Sequence, residues 1–375
     1  MKKLSFNLLF ILAVFSLLTS CKKDINSSSE TTTPHKEEKI KYFADIKANV
    51  SVSDGILTFE KLEDLTRTIN FLRNASKEEI AKWEESLGRF ESLSKMYIDS
   101  KNELMDVETE NDYKEWKAKF SGQVIFEYDG MISPLIKTGI AYGRIIGIKK
   151  MYKVGKSIIL YHGNKVISIP DGDINKLEVA KQSLTSDKTK GIFMHDLVTD
   201  SPQDVKKNSL SVRSVCPNSC TESAQLTQQA NNYRLRVRHD VYDNSSFLPP
   251  GSYCDYIFFL KVDVEISIEV DHQKKRWYGW AGDRSGFQWS SNWNISMFSA
   301  SGTNGVQIGG QRIGSAGWYS TEAFLNYSEQ LFSAEGCTEE IDFVLGAYNK
   351  CINQIGLTAT SNQSTPITSG MNCQR

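Results

Sequence analysis

Five histidines, a spread of acids, seven cysteines and seven tryptophans hold whatever chemistry this 375-residue chain can perform. Hydrolysis by a serine or cysteine nucleophile needs a positioned base, usually histidine. His35 falls in a polar run, His162 in the turn YHGNK, His195 in a weakly periodic stretch, His239 at the end of an alternating segment and His272 beside two lysines. None sits in a Gly-x-Ser-x-Gly elbow or a His-Glu-x-x-His helix. No Walker loop is present, and the glycine-rich GVQIGGQRIGSAG has no helix after it to receive a phosphate. Paired carboxylates are the remaining route, since a glycosidase needs only two acids about 5 to 10 Å apart. Asp263, Glu265 and Glu269 share one face of an alternating segment, and Asp271 and Asp283 flank a tryptophan-rich stretch. Acids on such a face are expected to be solvated. A carboxylate hydrolase is therefore the last of the readings, and no catalytic residue is assigned.

The cysteines divide by position. Cys21 closes Leu18-Thr19-Ser20-Cys21, directly after the thirteen-residue apolar run FNLLFILAVFSLL and a Lys2-Lys3 start. That run is shorter than the roughly 20 residues a spanning helix needs. The junction resembles a bacterial lipobox, which implies cleavage before Cys21 and acylation of it. Residues 1–21 are thus expected to be a signal peptide, and several acyl chains on one terminus anchor stably. KKDINSSSETTTPHKEEK follows, too poor in apolar residues to fold, so 22–41 is expected to be a tether. The other six, Cys216, Cys220, Cys254, Cys337, Cys351 and Cys373, all lie in the second half. An even set in an exported chain is expected to form disulfides, with the pairing open. CPNSC lacks the second Cys or His pair of a zinc site, so neither metal nor cofactor is expected.

RWYGWAGDRSGFQWSSNWN, residues 276–294, gathers four of the seven tryptophans. Trp277, Tyr278, Trp280, Trp289 and Trp293, with Trp318 and Tyr319 further on, are candidates for a ligand-binding platform on strand ends and loops. Flat rings stack on sugars, Asp283, Arg284, Gln288 and Asn292 could bond hydroxyls, and exposed Trp, Tyr and Arg also mark protein interfaces. The alternative is that these rings cap a β core.

Charge is balanced, 44 Lys+Arg against 45 Asp+Glu, so no basic face for nucleic acid is expected. Charge density falls and aromatic content rises after the midpoint, which predicts a boundary. Before it, SVSDGILTF reads as a short strand, and KLEDLTRTINFLRN aligns Leu62, Leu65, Ile69 and Leu72 on one helical face. Ser76 and Glu79 form a capping box for a helix with Ile80, Trp83 and Leu87 inward. Tyr113, Trp116 and Phe120 mark a third helix. QVIFEYDG, GRIIGIKKMYKVG, KSIILYHGNK and VISIP predict an antiparallel meander, and DINKLEVAKQSL a closing helix capped by Asp173. Residues 42–184 are therefore expected to be an α+β domain and 185–215 a linker. In 216–375, YRLRVRHDV and IFFLKVDVEISIEVD alternate cleanly, with Arg234, Arg236 and Arg238 and the acids expected outward. This part is expected to be an all-β, disulfide-stapled sandwich.

SDGILTF, KWEESLGRFESL and GRIIGIKKMYKVGKSIILYHGNKVISIPDGD, within residues 45–182, resemble an uncharacterised family of Bacteroidetes envelope lipoproteins. The resemblance implies an envelope address and no activity. The basic residues after Cys21 with Asp24 close behind resemble in part the surface-export signal of Bacteroidetes lipoproteins, so the chain is expected at the outer membrane, facing either the periplasm or the cell surface. The expected function is a membrane-anchored, non-enzymatic module that binds glycan or protein. A component of a cell-surface assembly is the alternative.

Overall fold

Asp54 and Gly55 both take positive φ, 53° and 69°, and this decides the first element. A two-residue hairpin connection follows the strand twist only when both central residues are left-handed, which Asp-Gly accepts. β1 (Val50–Ser53) and β2 (Ile56–Phe59) therefore pair antiparallel. The computed structural model describes residues 50–197, 220, 223–248, 258–284, 286–299, 307–320, 323–338, 348–362 and 368–374. The lipobox, the tether, Cys216 and Cys254 lie outside them.

Four helices follow. α1 (Leu62–Asn74) buries Leu65, Ile69 and Leu72 as its spacing predicts. α2 (Lys77–Ser86) starts at the Ser76–Glu79 capping box, with Ile80 and Trp83 inward. α3 (Leu93–Met105) is capped by Ser92, and α4 (Glu110–Lys119) by Thr109. A small hairpin, β3 (Val124–Phe126) and β4 (Ile132–Pro134), leads to α5 (Ile140–Ile145). Then β5 (Met151–Val154), β6 (Ser157–His162) and β7 (Lys165–Ile169) form the later part of the expected meander, while QVIFEYDG stays outside it in the β3–β4 hairpin. β5 also runs parallel to β2. α6 (Asn175–Ser183) follows, though Ile174 holds the cap position and the Asp173 carboxylate accepts from the Asn175 N–H instead.

Beyond α6 the expected linker does not begin at 185. β8 (Phe193–Asp196) pairs with β7 and completes a six-stranded sheet, β1-β2-β5-β6-β7-β8. The later elements are strands: β9 (Ser223–Ala230), β10 (Tyr233–Asp243), β11 (Ser246–Leu248), β12 (Phe258–Arg276), β13 (Gly279–Gly282), β14 (Phe287–Ser299), β15 (Gln307–Ser320), β16 (Phe324–Thr338), β17 (Tyr348–Ser361) and β18 (Thr368–Gln374). β12 is the trunk of the second sheet, bonded to β10, β11, β13 and β16. The third sheet runs β15-β14-β17-β18. These two sheets enclose one core. Val264, Ile266, Ile268 and Val270 of β12 share it with Trp289 and Trp293 of β14 and Ile355 and Leu357 of β17. That is the expected sandwich.

Cys220 is buried and disulfide-bonded, and its N–H donates to the Ile352 carbonyl at 2.9 Å. Cys337, Cys351 and Cys373 lie in β16, β17 and β18, with side chains outside the described residues.

Residues Ala44–Arg375 group as one compact unit. The first half packs on the second. Phe193 stacks on Phe247 at 4.7 Å, the Asp243 N–H donates to the Leu197 carbonyl, and the Tyr161 hydroxyl donates to Asn244. Among the described residues no helix is long and apolar enough to cross a membrane.

Candidate functional site

The polar face of β10 and β12 was expected to be wet. It is covered by α1, α3 and α5. A strand alternation separates two faces by polarity, and here the charged face meets a layer that carries the opposite charges. Arg73 of α1 sends one nitrogen to both Asp263 and Glu265, at 2.9 Å each. The Tyr142 hydroxyl of α5 donates to Asp263 at 2.9 Å, and the Asn244 amide donates to Glu265 at 3.2 Å. Further along, Lys101 of α3 reaches Glu269 at 3.1 Å and also pairs with Asp271. Arg236 bonds both of these acids from β10, and the Tyr97 hydroxyl donates to Glu269 at 2.7 Å. Arg238 and the Tyr242 hydroxyl close on Asp240. Arg234 pairs with Asp129 at 2.6 Å and lies 4.4 Å over the Trp280 ring.

The electrostatics follow from this sharing. Burial pushes the Glu265 carboxyl up, because one guanidinium divided between two acids only partly offsets desolvation. Burial would also raise Glu269, but Lys101, Arg236 and Arg238 hold it far below the usual carboxylate range. Lys101 is held above its ordinary value despite burial, by Asp271, Tyr97 and Glu269. A glycosidase acid must meet substrate, whereas Asp263 and Glu265 are both 0 % exposed. The solvated face is corrected here: these acids pair with cations of the helical layer and tie the two halves of the chain together.

The tryptophan stretch also resolves by alternation. Trp280, Trp289 and Trp293 are buried, and Trp289 and Trp293 contact Tyr327 in the sandwich core. Gln288 and Asn292 project from the opposite, exposed face of β14, so they do not join those rings. Trp277 alone of the four is open, at 58 %, and its indole N–H donates to the Glu108 carbonyl. Tyr278 stacks on Tyr113 at 4.8 Å and donates to the Leu104 carbonyl, and burial raises its phenol to about 12. Asp283 lies 3.4 Å from the buried His272, and Arg284 lies 3.8 Å from Asp106. Trp318 and Tyr319 belong to β15, with side chains outside the described residues. The four-tryptophan platform is corrected: three rings are core, and Trp277 with Tyr278 seals the contact between α4 and the β12–β13 turn.

What the fold leaves open is a cleft of about 910 Å³ beside the charged interface. One bank is helical: Leu72 and Arg73 of α1, Ile80 and Glu84 of α2, Ile98, Asn102 and Met105 of α3, and Arg144 of α5. The Arg144–Glu84 pair, 2.7 Å, ties α5 to α2 within that bank. The other bank is Ala323 and the start of β16, from Phe324 to Ser328, with Arg284 at the rim. Of the sequence candidates with described side chains, only Arg284 lines this cleft.

No known protein family and no curated protein matches the sequence. Among solved structures it is similar to a DUF4848 family protein from Bacteroides thetaiotaomicron. That similarity covers 86 % of this chain and all of the other, at a TM-score of 0.28 and 11 % identity. A likeness so distant assigns neither fold nor function.

The cleft escapes sequence reading for two reasons. α3 carries its buried residues at Leu93, Met96, Tyr97, Ser100, Lys101 and Leu104, a mixed stripe that does not stand out as amphipathic. GRI, read as the start of a strand, is the end of the one-and-a-half-turn helix α5. The available signal was the set of cations, Arg73 and Lys101, placed among apolar neighbours on otherwise inward-facing positions.

Proposed function

We propose that this protein is a non-enzymatic binding module of the bacterial envelope, held to the membrane by lipid on Cys21, and that the cleft between the helices and β16 takes its glycan or protein ligand. The observation that carries this reading is the cleft itself. Its volume of about 910 Å³ falls within the range of about 300 to 1,000 Å³ usual for ligand sites. Its banks mix apolar side chains with a few polar ones, as recognition sites do, and the acids suited to hydrolysis are sequestered nearby. Disulfides among the six later cysteines would stiffen the β half in an oxidising compartment.

Two measurements test it. A photo-crosslinking residue at Asn102, exposed in the cleft, should capture a ligand in intact cells, while one at Val179, exposed on α6, should not. In parallel, the full-length protein is applied to a glycan array. Failure of both refutes the reading, and turnover of a bound glycan would make the protein an enzyme. Cys21→Ala should abolish fatty-acid labelling and membrane partitioning; a wild type found free of membrane rejects the anchor.

A further inference from the structure

β16 has one neighbour. Among the described residues it pairs with β12 alone, and its other edge borders the cleft. Which backbone groups face that edge follows from one hydrogen bond. The His272 N–H donates to the Ala323 carbonyl at 2.8 Å, so this opposed pair is of the hydrogen-bonded kind. In an antiparallel ladder such pairs alternate with non-bonded ones. Counting along the register Phe324↔Asp271, Asn326↔Glu269 and Ser328↔Ser267, residues 323, 325 and 327 turn their N–H and C=O towards β12. Phe324, Asn326 and Ser328 turn theirs into the cleft. Among the described residues no strand pairs with that edge. The open run spans about 13 Å at the usual strand rise.

Exposed edges are ordinarily blunted by charge, proline, a bulge or a covering segment. Ala323–Ser328 reads AFLNYS, with no charge and no proline. The bulge in this pairing lies beyond it, between Val264 and Glu265. α3 lies against the face of this stretch, with Lys101 Nζ 4.2 Å from the Phe324 ring, and the cleft opens beside its edge. A bare, regular, uncharged edge inside a groove is the geometry for strand addition, in which main-chain bonds give affinity and pockets for alternate side chains give specificity.

We infer that an extended segment of a partner protein adds as a strand to β16 within the cleft. This rests on the binding reading above and narrows its ligand to polypeptide. Side chains of the added strand on the face shared by Phe324, Asn326 and Ser328 would meet Ile80, Ile98 and Met105. The segment is therefore apolar at alternate positions.

The test uses the full-length protein in detergent and a phage-displayed library of random peptides. Selected peptides are synthesised and titrated against four proteins. Asn326→Pro and Ser328→Pro each delete one N–H that points into the cleft and leave the β12 ladder intact, so both should keep the wild-type melting temperature and bind at least tenfold more weakly. Asn326→Ala retains the N–H and should bind within twofold of wild type. Peptides N-methylated at every second position should lose binding in one phase and retain it in the other. This last arm uses only wild-type protein, so it decides the matter should a proline variant misfold. The inference is overturned if selected peptides ignore both prolines, or if N-methylation acts without regard to phase. Failure to select any peptide, alongside a glycan captured at Asn102, also overturns it while the binding reading stands. Self-association of wild type that the prolines abolish would make a second copy the occupant, and overturns the foreign partner.

Discussion

Arg73→Met removes the single cation shared by two acids that have no access to water. Asp263 retains the Tyr142 hydroxyl and the Gln330 amide, but Glu265 retains only the Asn244 amide among its side-chain donors here. Breaking a buried pair from one side costs about 3 to 5 kcal/mol. Proton uptake sets the ceiling. Neutralising a carboxylate of ordinary pKa, about 4.3, at pH 7 costs about 3.7 kcal/mol, from 2.7 pH units at 1.36 kcal/mol each. Glu265 is already raised by burial and is the group that takes the proton. The variant is thus expected to lose about 3.5 kcal/mol at pH 7. Its folded state then holds one proton more than the unfolded chain. A carboxyl raised on folding contributes stability that is present at low pH and lost as pH rises through its folded value. The deficit should accordingly shrink by about 1.4 kcal/mol for each unit from pH 7 down to pH 5. Urea unfolding followed by circular dichroism at pH 7, 6 and 5 reads this directly, and adding Glu265→Gln should restore most of the loss at pH 7. A variant within about 0.5 kcal/mol of wild type, the scale of a surface change, or a deficit that does not move with pH, would refute the reasoning.

Three further outcomes are expected. Trp289→Ala should cost about 3 to 5 kcal/mol in urea unfolding, the usual cost of emptying a core ring site, whereas Trp277→Phe should leave stability nearly unchanged and remove an acrylamide-quenchable component of the fluorescence. Gly139→Ala should destabilise by about 1 to 3 kcal/mol, because its new methyl would lie 1.1 Å from Glu265 Oε1, which accepts from Asn244 while Arg73 holds Oε2; a thermal melt matching wild type would show that Glu265 moves aside. Glu269 is depressed on folding, so its contribution is present above its unfolded value and lost as pH falls through its folded one. Glu269→Gln should therefore unfold less steeply than wild type as pH drops below about 4.3, and parallel acid curves would contradict this.

Local signals carried much of the fold. The Ser76–Glu79 box and the stripe Leu65-Ile69-Leu72 each specify a structure within a few residues, and each forms as read, whereas SVSDGILTF, read as one strand, is two strands joined at Asp54-Gly55. The alternation of β10 and β12 was legible too, but its meaning was not. Period two reports that two faces differ in polarity, not that the polar one meets water. The covering layer comes from residues 121 to 192 positions earlier, and the signal for it was a matched charge inventory: three arginines on β10, four acids on β12, and Arg73 and Lys101 on helices. The tryptophans misled for a related reason. Crowding in sequence suggested a shared surface, yet along β14 successive side chains point oppositely, so Trp289 and Trp293 go inward and Gln288 and Asn292 outward. The cleft had no local signature at all, since its banks meet only in the folded chain.

The partnership of Arg73 with Asp263 and Glu265 also fixes an order of events during biogenesis. The helices are translated before β12 exists, and until then Arg73 and Lys101 lack the acids of that strand. The amino-terminal half therefore cannot mature as an independent body while the rest is still arriving. Contacts this distant in sequence are slow to form, because chain closure must be met before they reward it. Nascent chains would stay partly open until β12 docks, and truncation anywhere before it would yield a product for proteases, not a smaller working domain. The same dependence ties the halves together in evolution: neither can be recombined onto another partner without bringing its complement of charges.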